Sequence, residues 1–480
     1  MFYPKAQKVN GRYKGTKIVR DFSAGMDSVT DEEVLDLPKC AEAYNFSYRG
    51  GVLCDGEGIK TAKFGFYDNS PVFNVAGVTP QKLYYYKKYD EDLTKYVEYL
   101  LVYGDDNEMY IANAETDSEF TKIKGLTFDY PPKAVPYAYN GEDVMIFSDE
   151  RSMKIYNGKT VKPATDVPAI TSMCIHNERL FVTEAKNKTS LWFSDDFDPM
   201  NWKISLDEAG FIDIREGNGS LLKAVSFGGY VYAFASYAIM RITAYGDQRE
   251  FSLETAALSS GKIYPESITV CGDRIIYLAE DGFYAFTGGT PVKIIKKLDK
   301  MLIGTDNSEC KGCYFGGKYY CVLRLKTSVA NEQIMLVYDV HAGTYCLMRN
   351  LSIKDIVLMD GEEHSKLLFL IKDRFDVCTL SKRAELCSVP LTKFWKSGKC
   401  DLNIGKEKTI TKVSLTASEK VEVLIKSEAG SRLLHFSGIN KEQTLPVGLK
   451  GRSFIFEIES RVPENRISAF RIEYEYFAEA

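Results

Sequence analysis

Histidine is scarce in this chain, with four in 480 residues, at positions 176, 341, 364 and 435. None stands in an H-E-x-x-H or H-x-E arrangement, so imidazole-based metal or general-base chemistry has little to build on. The nucleophile elbow G-x-S-x-G, the phosphate loop G-x-x-x-x-G-K-[ST] and G-x-G-x-x-G after a strand are all missing, which argues against serine hydrolases, P-loop NTPases and dinucleotide enzymes. Proline is sparse at 15, so extended rigid linkers are not expected. No apolar run reaches the roughly eighteen residues of a spanning helix, and no charged start precedes an apolar core, so neither a membrane anchor nor export is expected. Period-3.6 patterning is nearly absent outside Asp31–Leu37, read as a short helix or turn.

Cysteine is present eleven times, an odd count at irregular spacing, which predicts reduced and mostly buried thiols made in a cytoplasm and not a disulfide framework. Cys310-Lys-Gly-Cys313 is the one metal-like spacing. It has no second pair at zinc-ribbon distance, and residues i and i+3 of a strand face opposite ways, so it reads as core. No catalytic, metal or cofactor residues are assigned. The net charge of −5 is small for the length. One local exception is the start, where Lys5, Lys8, Arg12, Lys14, Lys17 and Arg20 occur with no acid before Asp21. Such a stretch is suited to contacting DNA or an acidic neighbouring subunit, or is a solvated terminus.

What the chain has in quantity is aromatics, 31 Tyr and 27 Phe, together with 36 Gly. Flat and β-branched side chains favour strands, and glycine favours the turns between them. Short turns recur at Asn140-Gly141, Asn177-Glu178, Gly228-Gly229, Gly272-Asp273, Gly316-Gly317 and Asp360-Gly361, with steps between their first residues of 37, 51, 44, 44 and 44. Each is followed by strand, hairpin, strand, turn, strand, as in Tyr230–Phe234 running into Tyr237–Ile242. A unit of about 40–45 residues is the size of a four-stranded propeller blade. A further turn at Gly104–Asn107 suggests another blade before the clear ones. The fold class is therefore all-β: a β-propeller of six or seven blades with an extended N-terminal arm (1–62), the ring (63–390) and a C-terminal antiparallel β-sandwich (391–480). The alternative architecture is a pair of β-sandwiches.

The most distinctive segment is Ser190–Trp202. Asp195, Asp196 and Asp198 are suited to calcium or acid–base work, but Asp-x-x-Asp-Pro before a tryptophan is also turn-forming. Carboxylates there accept backbone N–H groups, Pro199 fixes φ, and Trp192 and Trp202 anchor the turn. The structural reading of Asp195, Asp198, Pro199 and Trp202 is preferred.

At this segment the order Asn177–Val182, Leu191–Asp195, Asp198-Pro199 and Trp202 resembles propeller-containing virion proteins of tailed bacteriophages, of the neck, tail-nozzle or DNA-stabilisation type. Phe227–Phe234, Ile239–Ile242 and Glu280–Phe286 continue the resemblance. At the ends, Phe22–Asp27, Ala43–Phe46 and Gly50–Leu53 are similar to the family's opening, and Trp395–Gly398, Asp401–Asn403, Leu449–Phe454 and Ile472–Tyr474 to its closing sandwich. Cys54–Gly58 departs from the family's basic, proline-containing turn. The resemblance implies a structural virion protein, assembled in the host bacterial cytoplasm as a ring of its own copies, touching other neck or tail proteins. Double-stranded DNA would pass it non-specifically. A glycan-acting or glycan-binding propeller is the alternative, resting on the single Asp-box-like segment Ser194–Trp202, and a host cytoplasmic binding propeller is a third.

Overall fold

The computed structural model describes residues 7–9, 12–64, 70–205, 208–214, 219–361 and 364–477. Among them the chain is almost entirely strand, and seven sheets are arranged as the blades of a propeller. Six blades are four-stranded meanders spanning 80–127, 133–163, 170–213, 221–258, 269–294 and 311–349. The seventh takes three strands from 353–381 and its fourth from the other end of the chain, Gly58–Thr61. The first strands of the blades stand around the axis, and that of blade 7 (Ile353–Met359) packs against that of blade 1 (Pro80–Asp90), so the ring is closed. Asp31–Leu37 forms turns without a helix.

Local chemistry explains the blade. Both central residues of four inner hairpins have positive φ: Asn140 and Gly141, Asn177 and Glu178, Gly228 and Gly229, Gly316 and Gly317. Such turns match the twist of the strands they join. The second strand of each blade is covered on both faces, and five of the six residues of Tyr230–Ala235 and of Arg274–Ala279 are buried. A strand stacked between neighbouring blades reads as continuous apolar sequence for that reason. The step of 51 residues arises in blade 3, where the segment 194–209 is inserted between the strands Ser190–Phe193 and Gly210–Asp213.

The described residues of the stretch 1–62, read from sequence as an extended arm, are distributed through the fold. Gln7–Val9 and Arg12–Val19 extend one sandwich sheet, with Arg12–Val19 pairing along Phe470–Phe477. Phe46–Arg49 and Val52–Asp55 join the same sheet, and Cys40–Tyr44 borders the opposite one beside Lys393–Ser397. Both ends of the chain thus build one sandwich. Its core holds Phe22, Tyr44, Trp395, Phe456 and Phe470, and runs on into Leu278, Tyr319 and Leu336 of blades 5 and 6.

Gly58 shows how tightly the seventh blade is closed. A Cβ there would lie 2.1 Å from the Arg383 carbonyl oxygen and 2.4 Å from that of Glu385. Gly58→Ala is therefore expected to cost about 1–3 kcal/mol by overpacking. Urea denaturation would read this as a lower midpoint at unchanged slope, and an unchanged midpoint would contradict it.

Candidate functional site

The basic stretch near the N-terminus is now placed. Lys5 lies outside the described residues, and Lys8 sits in the strand Gln7–Val9, in register with Tyr13. Arg12 and Lys14 project from the exposed face of their strand with Thr16 and Ile18, while Lys17 faces the other way and is half-buried. Glu475 across the ladder lies 3.5 Å from Arg12 and 3.3 Å from Lys14, and the Arg12 guanidinium covers the Phe477 ring at 5.0 Å. Exposed pairs of this kind contribute about 0–1 kcal/mol each. Their effect is mainly to offset part of the stripe's charge with the chain's own last strand. Among the described residues Lys17 and Arg20 form no ion pair.

The segment after Ser190–Phe193 is a hydrogen-bonded turn. Asp195 accepts from the Asp196 amide at 2.9 Å and from the Asn201 side chain at 3.0 Å, and Asp198 accepts from the Met200 amide at 3.0 Å. Trp202 is buried and donates its indole N–H to the Pro199 carbonyl at 3.0 Å. Arg179 lies behind the turn, donating to the carbonyls of Ser194 and Glu208 at 2.9 and 3.0 Å, with Asp196 at 3.6 Å. Burial pushes the Asp195 carboxyl up. Among the described residues no group of three or more His, Cys, Asp or Glu is placed to hold a metal ion.

Cys310 and Cys313 separate into two different cores, the first into that shared with the sandwich, the second against blades 6 and 7. His176 is buried, its Nδ1 lies 2.9 Å from Ser226 Oγ, and its Nε2 has no partner among the described residues. Burial pushes its pKa below the usual 6.5, against an opposing pull from Glu178. The folded state then favours neutral imidazole, so the unfolded chain binds more protons as pH falls through about 6.5 and stability declines. Thermal midpoints between pH 7.5 and 5 are expected to fall less steeply for His176→Gln than for the parent; equal slopes would refute this.

The sequence reading missed a charged group at the propeller axis. The inner strands enclose a cavity of about 530 Å³ lined by residues such as Val135, Met173, Cys174, Val225 and Leu358. A second cavity of about 410 Å³ shares Met173, Lys223 and Leu358 with it, and the two form one passage. This second part is lined also by Lys82, Lys133 and Glu266. Lys133 of blade 2 ion-pairs with Glu266 of blade 5, on the far side of the ring. Behind them Lys311 pairs with the buried Asp355 at 2.6 Å.

The repeat accounts for the arrangement. Lys223, Ser267, Lys311 and Asp355 are 44 residues apart, each five positions before the first residue of its turn pair, Gly228, Gly272, Gly316 and Asp360. The strands bulge immediately before Lys82, Ser172, Lys223 and Asp355, which re-aims the side chain that follows. From this position the side chains join one blade to the next. Ser172 Oγ accepts from the Ala224 amide at 3.0 Å, Asp355 from the Leu83 amide at 2.8 Å, and Lys223 donates to the Ile268 carbonyl at 2.9 Å. Aligning the chain on its 44-residue period would have exposed the polar column in an otherwise apolar strand.

Fold and axis together define a seven-bladed β-propeller with a sandwich built from both termini. No family model matches the sequence, and no curated protein matches it. Solved structures do. BBS1N, crystallised in complex with ARL6DN, is 10% identical, with 67% of this chain and 98% of that chain covered at a TM-score of 0.44. Virginiamycin B lyase from Staphylococcus aureus is 12% identical, with 68% and 99% covered at 0.40. Kluyveromyces lactis Hsv2 is 10% identical, with 52% and 82% covered at 0.35. Likeness at this level concerns the fold and carries nothing about activity or partners.

Proposed function

We propose that this protein is a structural subunit of a tailed-phage or prophage particle, forming a ring of copies in the neck or tail nozzle around the DNA exit channel. The observation that supports this most is the meeting of the two family-like ends. Phe22 packs edge-on against Trp395 with ring centroids 5.7 Å apart, and Ala43 pairs with Trp395 across adjacent strands. Phe454, Ile472 and Tyr474 from the closing motifs share that core with Tyr44, Phe46 and Leu53 from the opening ones. Motifs separated by more than 300 residues belong to one folded unit, so the resemblance covers a structural whole.

The role is one of scaffolding, without catalytic residues or cofactor. Its partners are further copies of the chain, other neck or tail proteins, and double-stranded DNA in non-specific passage. A net charge of −5 suits a wall past which a polyanion must slide, because a strongly basic lining would hold the phosphates. The test is electron microscopy of the purified protein together with mass spectrometry of purified particles from the source cell. Closed rings and recovery of the chain in particles are expected. A strictly monomeric protein, absent from particles, would overturn the reading.

A further inference from the structure

We propose that the lysine end of the axial passage is a binding site for a small phosphate-bearing anion, held by Lys82, Lys133 and Lys223. Three ammonium groups and one carboxylate, Glu266, line this cavity of about 410 Å³. The adjoining Lys311–Asp355 pair is neutral overall, so the lining keeps two positive charges in excess, the charge of a phosphate monoester dianion. Solvent reaches the site, since the side chains of Lys133 and Glu266 are 33% and 41% exposed.

Donors are left over as well as charge. An ammonium offers three N–H groups. Among the described residues Lys82 makes one hydrogen bond, to the Pro132 carbonyl at 3.0 Å, and Lys223 makes one, to the Ile268 carbonyl at 2.9 Å. Each carbonyl fixes its lysine in place and leaves two N–H groups for a guest. Lys133 is held by Glu266, which serves as counter-charge while the site is empty.

The local electrostatics agree. Burial, reinforced by the positive charge of Lys133, pushes Lys82 down to about 8. Burial likewise lowers Lys223. Burial alone would raise Glu266, but Lys133, Lys223 and Lys82 outweigh it and hold the carboxyl well below its usual range. One carboxylate is thus shared by three cations, and a guest dianion would relieve their mutual repulsion. The apolar wall beyond, with Met145, Met173 and Leu358, keeps the local dielectric low and strengthens each contact. Three converging point charges suit a tetrahedral oxyanion, which accepts from several directions, better than a planar carboxylate.

Isothermal titration and phosphorus NMR of the full chain with inorganic pyrophosphate test the assignment, with potassium chloride at matched ionic strength as the control. One site per chain is expected. Lys82→Met and Lys223→Met should each weaken binding about tenfold, as expected for loss of a charge-assisted hydrogen bond. Glu266→Gln removes the competing charge at constant shape and should tighten binding severalfold, which keeps the proposal testable if a lysine variant fails to fold. No binding at millimolar pyrophosphate, binding indifferent to both lysine changes, or weaker binding in Glu266→Gln would each overturn it.

Discussion

Replacing Asp55 with alanine is expected to remove about 3–5 kcal/mol of stability, the cost of leaving a buried charge without its partner. Asp55 and Lys393 meet at 2.5 Å with side chains only 7% and 1% exposed. Lys393 also donates to the Val462 carbonyl at 2.5 Å, and the second Asp55 oxygen accepts the Glu464 amide at 2.7 Å. The pair therefore ties Val52–Asp55, near the start of the chain, to Lys393–Ser397 and to the loop before the last strand. In Asp55→Ala the ammonium stays in the interior with a single carbonyl to serve it. Since whole domains are stable by about 5–15 kcal/mol, the loss is a large fraction of the total. A double change, Asp55→Leu with Lys393→Met, removes both charges and should recover most of the stability, as replaced buried pairs often do. Urea titrations of the three chains decide the matter. A single variant within about 1 kcal/mol of the parent would show that the pair is not desolvated in the way its burial implies.

A second large effect is expected from deleting residues 1–61. The cut takes away Gly58–Thr61, which pairs with Cys378–Ser381, and leaves the last blade with a bare edge. Exposed edges of this kind template aggregation. It also strips the sandwich of Arg12–Val19 and of Cys40–Tyr44, uncovering Trp395 and Phe470, both fully buried in the intact chain. The truncated chain should be insoluble, or soluble without a cooperative melting transition, and co-expression of residues 1–64 should restore it. A truncated chain that is soluble and melts as sharply as the parent would mean that ring and sandwich stand without the first strands.

Much of the ring was legible because each blade writes its own local signal. Gly228-Gly229 and Gly316-Gly317 need positive φ at both positions, and the alternating strands around them are short-range features. The hairpin spacing, together with the turn at Gly104–Asn107, leads to the blades, including the first. What escaped is long-range. Gly58-Ile59-Lys60-Thr61 is four residues with no periodicity of its own, and its meaning lies in a partner more than 300 positions away. The whole N-terminal stretch read as an arm for the same reason, since beyond the short hairpins of Gln7–Val9 with Arg12–Val19 and Phe46–Arg49 with Val52–Asp55 its strands pair with segments far along the chain. The axial lysines were hidden differently. One lysine in a strand is unremarkable, and only closure of the ring brings Lys82, Lys133 and Lys223 to one cavity.

The borrowed strand of the seventh blade has a consequence for biosynthesis. Thr61 leaves the ribosome about 320 residues ahead of Cys378, its pairing partner. At an elongation speed of about 5–20 residues per second this is a wait of roughly 15–65 s, during which the first segment has no place to dock. Blades made in between can stack as they emerge, but the circle waits for Cys378–Ser381 and the sandwich for Phe470–Phe477. The nascent chain therefore carries its earliest strands as an unsatisfied passenger, and the concentration of holdase chaperones, more than the intrinsic speed of strand pairing, should set the yield of finished protein.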